Sequence, residues 1–163
     1  WLGRLFALAL VAGLGWWIWI TFFPGPETVI RKRLAKVAAL LTFDAKEGII
    51  PRAANVQQLT GYFTPDIEIV VDTPAQSRQA ISGRDELQQA AMGVRSMLRG
   101  LNVEFLDAQV SLSNDKTNAT VNLTGKARVP GDRDFFIQEL KFFFRKTNSE
   151  WLIIRVETVR TLN

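Results

Sequence analysis

The sequence predicts an α+β domain, with helices gathered in its first half and antiparallel strands in its second, behind an apolar N-terminal helix. Three observations predict it. Apolar residues recur at helical spacing in three stretches before residue 100. From residue 103 onward the period becomes two, in four successive stretches separated by turn residues. Ahead of both, residues 5–23 carry no charged side chain. Helices followed by a meander mark an α+β domain rather than a parallel sheet.

Taken in order, the apolar run comes first. As a helix at about 1.5 Å per residue it extends about 28 Å, close to the hydrocarbon thickness of a bilayer. Thr21 is nearly its whole polar content, Arg4 can reach the headgroups, and Trp16, Trp17 and Trp19 sit where an interfacial aromatic belt would lie. Pro24-Gly25-Pro26 stops it. The run is longer than a cleaved signal peptide's apolar core and ends without a small-residue cleavage site. The expectation is therefore a transmembrane helix over 1–23, a linker over 24–27 and a folded domain over 28–163. Arg31, Lys32 and Arg33 would then stand at the membrane interface. The positive-inside rule puts these charges in the cytoplasm, whereas a signal anchor exports the domain behind it. The reading adopted is a single-pass protein of a bacterial inner membrane, its domain on the periplasmic side.

Pro26 suits a first helical position, and Ile30, Leu34, Val37 and Leu41 make one helical face. Gly48 and Pro51 break the chain before a second helix over 52–61, with Val56 and Leu59 inward. Residues 66–72 form a strand rich in β-branched side chains, ended by Thr73-Pro74. After a short extended piece, Ser82-Gly83-Arg84-Asp85 reads as a capping box opening a third helix. Leu87, Ala91, Val94 and Leu98 keep helical spacing there, and Gly100 is placed to end it. Beyond it, Val103 and Phe105 share one parity and Ala108, Val110 and Leu112 the other, so a bulge is expected near Leu106. Asn114-Asp115 turns into a strand with Ala119, Val121 and Leu123 on one face and Asn118, Thr120, Asn122 and Thr124 on the other. Pro130-Gly131-Asp132 and Asn148-Ser149 introduce strands over 135–146 and 151–162.

Composition limits the chemistry. The 163 residues include 20 Lys and Arg against 16 Asp and Glu, a net charge of +4, with no cysteine and no histidine. Thiolate nucleophiles, disulfides, imidazole bases and the commonest zinc ligands are excluded. Glycine-rich phosphate loops and calcium loops are missing as well, and no metal or cofactor is expected. The basic residues are scattered without interleaved exposed aromatics, so nucleic acid is not an expected partner.

Three patterns in this order resemble the nuclear transport factor 2-like superfamily, with its polyketide-cyclase (SnoaL-like) and ketosteroid-isomerase branches. They are Leu59-Thr60-Gly61-Tyr62-Phe63-Thr64-Pro65-Asp66 entering a strand, Ile81-Ser82-Gly83-Arg84-Asp85-Glu86-Leu87 entering the third helix, and Glu150-Trp151-Leu152-Ile153-Ile154-Arg155 in the final strand. Together they cover about residues 27–162. The resemblance implies a cone, three helices packed on a strongly curved, mainly antiparallel sheet with an internal pocket. Members include enzymes, adaptors and scaffolds, so the fold does not assign function.

In the isomerase branch a carboxylate near the end of the first strand removes a proton, and a tyrosine with a protonated aspartic acid stabilises the enolate. The resemblance sets Asp72 near the base. Leu34 or a neighbour occupies the tyrosine's place, and Leu123 and Gly125 hold the inward parity where the acid would stand. Without an oxyanion hole the largest catalytic contribution is lost, so no catalytic residue is assigned. Tyr62, the single tyrosine, Asp72 and Gln138 are the candidate pocket residues. Asp72 is either that base or a strand-ending turn residue. Gln138 either projects a polar group into the pocket or satisfies a buried backbone group. Arg155 and Glu157 share a strand face as a structural ion-pair set.

The last two strands are apolar on both faces. With Phe136, Leu140, Phe142, Phe144, Leu152, Ile154 and Val156 filling the cone, Phe135, Ile137, Phe143, Trp151 and Ile153 are left for an outer interface. The function expected from this is a non-catalytic, membrane-anchored interaction domain, an accessory or scaffolding subunit of a larger membrane complex or a homodimer. The alternative is a small-molecule-binding module or a carboxylate-dependent isomerase or cyclase using the pocket. An open cavity with Asp72 or Gln138 turned into it would favour that alternative.

Overall fold

The structure, a computed structural model, describes residues 9–15, 24–73 and 76–159, with side chains described outside 72–79. Helix α1 (Pro26–Leu41) begins with proline in its first turn, where the missing N–H costs nothing. It starts inside the stretch expected to be linker. Ile30, Leu34, Val37 and Ala38 form its buried face. Thr42 ends it: its N–H and its hydroxyl both donate to the Ala38 carbonyl, at 3.1 and 3.0 Å. The same hydroxyl accepts the Val103 N–H at 3.0 Å, fastening the helix to the sheet.

A two-residue strand, β1 (Phe43–Asp44), comes next, too short to leave a periodic signal. Helix α2 (Ile49–Thr60) begins three residues earlier than expected, because Pro51 falls in its first turn instead of before it. Then come β2 (Phe63–Thr73), β3 (Gln76–Ser82) and α3 (Arg84–Met97). Ser82 is not the cap of α3; it ends β3. Gly83 takes the cap position with φ 89, a conformation glycine adopts without strain, and its N–H donates to the Ile67 carbonyl at 2.8 Å. The expected box with Asp85 does not form; Glu86 reaches back instead, its Oε2 accepting the Ser82 N–H at 2.7 Å. Leu98 caps the other end, and Gly100 opens the next strand. A side chain there would crowd Pro130 Cγ at 3.1 Å and the Phe43 carbonyl at 3.2 Å.

The remaining strands are β4 (Gly100–Leu112), β5 (Asn118–Arg128), β6 (Phe136–Thr147) and β7 (Glu150–Thr158). They assemble with the first three into one seven-stranded sheet ordered β1-β4-β5-β6-β7-β2-β3. Every pairing is antiparallel except β2 with β7. The fold is thus α+β, helices on a mixed, curved sheet. The bulge expected in β4 is present: the register shifts between Leu106 and Gln109, and Asp107 has φ 53.

A second bulge, in β7, was not expected and reverses a face assignment. Phe143 pairs with Arg155 and Phe144 with Ile153, so Ile154 is an extra residue. Inward parity passes from Trp151 and Ile153 to Val156 across it. Trp151 and Ile153 are therefore in the core, 3% and 1% exposed, and do not belong to an outer interface. With Ile30, Val37, Leu59, Phe63, Ile67 and Phe144 they form one apolar cluster between helices and sheet. Each such side chain contributes about 1.5–3 kcal/mol by leaving water.

The expected membrane placement is corrected. Among the described residues no helix is long and apolar enough to cross a membrane. Trp16, Trp17 and Trp19 lie outside the described residues. Two of the three basic residues assigned to a membrane interface have protein partners. Arg31 donates from Nη1 to the Ala108 carbonyl. Arg33 pairs with Glu150 at 3.2 Å and lies 5.6 Å above the Tyr62 ring. Lys32 is exposed.

Candidate functional site: an apolar cavity in the cone

Strand register sets the inner wall in rows. Val103, Ala127 and Phe136 are paired across β4, β5 and β6. The next inward row is Phe105, Gly125 and Gln138. Deeper, Leu123 pairs with Leu140, and Val110, Val121, Phe142 and Val156 run across four strands. The first row is the open end, since Phe136 is 40% exposed while Phe142 is 4%.

A cavity of about 240 Å³ lies behind these rows. Val37 and Leu41 of α1, Leu59 of α2 and Leu87 of α3 close it from the helical side. Phe63, Ile69, Val71 and Val156 come from β2 and β7, Phe105 and Phe142 from the meander. At Gly125 the second row lacks a side chain, and Leu140 Cδ1 packs over that position. A methyl group there would stand 2.9 Å from Leu140 Cδ1. Phe105 and Phe142 meet edge to face, centroids 5.5 Å apart, and make an aromatic wall.

Two polar residues border it among those described. Gln138, half-buried on the inward parity, borders the cavity, whose surface is almost wholly apolar. Lys126 borders the cavity through β5, but it has the outward parity of Glu104 and Ile137. Its ammonium sits 3.8 Å from Glu104 Oε2 and 5.2 Å above the Phe135 ring. No carboxylate is among the described lining residues.

The expected pocket residues separate. Gln138 is at the cavity. Tyr62 is not among its described lining residues: it packs under Arg33, and its carbonyl accepts the Ile153 N–H at 2.9 Å. Asp72 falls where β2 shifts register against β3, between Val71 and Thr73, and its side chain lies outside those described. Of the expected interface, Phe135 and Ile137 are 55% and 52% exposed. Phe143 is half-buried under the Lys141 ammonium, 5.2 Å away. Arg155 pairs with Glu157 at 3.1 Å and with Glu68 across the parallel pairing at 3.4 Å, a structural set as expected.

Sequence reasoning missed the polar knot behind the cavity. Arg95 of α3 is 3% exposed and donates to the Leu40 carbonyl and to Glu47. Glu47 also accepts from Asn55 Nδ2 at 2.7 Å, and Phe43 lies under the guanidinium at 4.8 Å. All three helices are tied there, and the adjoining Leu41 lines the cavity. The helical spacing of Leu87 and Ala91 places position 95 on the inner face, which is the one signal that could have marked it. Among the described residues no cluster could hold a metal.

No family model matches the chain, and no curated protein matches it. Solved structures do. A nuclear transport factor 2-like protein with a cystatin-like fold from Novosphingobium aromaticivorans aligns with TM-score 0.63 at 17% identity, over 81% of this chain and 79% of that one. A nuclear transport factor 2-like protein of unknown function from Pseudomonas putida KT2440 gives 0.65 at 12%, over 84% and 87%. A candidate scytalone dehydratase from Novosphingobium aromaticivorans DSM 12444 gives 0.60 at 18%, over 83% and 84%. At such identities the likeness carries architecture and not activity. The chain has the nuclear transport factor 2-like, cystatin-like fold.

Proposed function

We propose that the domain is a binding module for an uncharged, largely apolar small molecule held inside the cone. The cavity carries this reading: about 240 Å³, open at one end, and walled among the described residues by almost wholly apolar surface. Concave, mostly apolar sites with few polar groups are where small ligands bind. Binding is preferred to turnover because the described lining offers neither a carboxylate nor a hydroxyl to move a proton. That a structural neighbour is a candidate dehydratase keeps substrate conversion within reach of the test. Titration with the uncharged fluorophore N-phenyl-1-naphthylamine should give saturable binding at one site per chain. Ala127→Trp, which plugs the open row, should abolish it with the circular dichroism spectrum unchanged. Equal binding by the plugged variant sinks the proposal, and consumption of a bound ligand replaces binding with catalysis.

A second reading, a docking face for another protein chain, rests on Phe135 and Ile137 standing exposed on the outer side of one segment. Ile137→Asp should then convert an assembly seen by sedimentation equilibrium into monomer. A wild-type chain that is monomeric throughout removes this reading.

A further inference from the structure

We propose, building on the binding reading, that the cone takes a single-tailed amphiphile, hydrocarbon end first, and leaves its polar head at the mouth. The interior surface requires a bare tail. It is almost wholly apolar, although Gln138 borders it. Lys126, the one charged residue among the described lining residues, holds its ammonium 3.8 Å from Glu104 Oε2 on the outward parity. At Gly125 the sheet presents carbon as well, because Leu140 Cδ1 packs over that position. A polar atom carried inside gives up water and finds no partner, whereas hydrocarbon gains by leaving water.

The form of the cavity requires that the tail lead. Phe136, Gln138, Leu140 and Phe142 line it in succession along β6, about 20 Å of strand from mouth to floor. Phe63, Phe142 and Val156 are buried at the floor, while Phe136 is exposed at the mouth. With water at one end only, a ligand's polar group has one place to stand. Volume sets the length of the tail. A dry apolar cavity of ~150 Å³ holds the six carbons of benzene, so the 240 Å³ here holds about ten.

Competition against N-phenyl-1-naphthylamine with straight-chain alcohols tests the assignment. From 1-hexanol to 1-decanol, each added methylene should lower the displacing concentration about fourfold. 1-Dodecanol should then stay within about twofold of 1-decanol, the cavity being full. Two isomers locate the polar end. 1,2-Octanediol, with both hydroxyls at one end, should match 1-octanol within about threefold. 1,8-Octanediol has to bury a hydroxyl and should need at least about tenfold more than its isomer. Val156→Phe, which raises the floor, should move the levelling point to a shorter alcohol. If that variant does not fold, the isomers decide alone. Equal displacement by the two diols, a gain that continues unbroken beyond 1-dodecanol, or a folded Val156→Phe with the levelling point unmoved overturns the assignment and leaves the binding reading standing. A wild type that never binds the fluorophore overturns both.

Discussion

Arg95 makes the strongest demand of any single residue. Its guanidinium and the Glu47 carboxylate are 3% and 10% exposed, so each depends on the other, the guanidinium also on the Leu40 carbonyl and the carboxylate on the Asn55 amide, for what water would otherwise supply. Arg95→Ala should destabilise the domain by about 3–5 kcal/mol, since it leaves a buried carboxylate unpaired. Arg95→Met combined with Glu47→Gln should recover part of that loss, and urea unfolding of the three variants measures both. Asp115 makes a weaker, pH-dependent demand. The Ser113 hydroxyl, then the Thr117 hydroxyl and N–H, donate to its carboxylate and hold its pKa at about 2, below the ordinary 3.8. A lowered folded-state value means that the turn's contribution is complete above about 3.8 and disappears as pH falls through about 2. Wild type should exceed Asp115→Asn in urea midpoint by a constant margin above pH 4, and the margin should close towards pH 2.

At the level of strands and helices, legibility depended on whether an alternation had contrast. The bulge in β4 could be read because apolar and polar residues visibly change phase between Phe105 and Ala108. In β7 the run Trp151-Leu152-Ile153-Ile154 is apolar at both parities, so an inserted residue leaves no trace, and Trp151 and Ile153 were assigned to the wrong face. Strand β1 was too short for any period, and the start of α2 was hidden by a proline that breaks helices everywhere except their first turn. The cavity was legible through inward parity at Gln138. The Arg95 knot was not, because a charge on a helix reads as solvent-facing and its partner Glu47 is 48 positions away. Two substitutions separate the faces of this ribbon. Trp151→Ala should cost about 3–5 kcal/mol in urea unfolding as a core truncation. Phe143→Glu, half-buried beneath Lys141, should lose far less and leave the near-ultraviolet circular dichroism intact.

For the molecule as a whole, occupancy and stability are coupled through the cavity. A ligand that binds the folded chain alone adds about 2.7 kcal/mol at a hundred times its Kd. For a domain of this size that raises Tm by about 5–10 °C. Differential scanning fluorimetry with 2-naphthol should show the shift in wild type and lose it in Ala127→Trp. A shift of equal size in both would place the ligand elsewhere.

The parallel seam between β2 and β7 has a consequence in time. It joins Glu68 to Arg155, 87 positions apart, and Val156 beside it is part of the cavity wall. While a ribosome is still making β6, one margin of β2 has no mate, and its row of open amides can recruit a stray strand from a neighbouring nascent chain. The vessel is sealed by the last strand described, so the wait before β7 emerges is when a newborn copy is most exposed to aggregation.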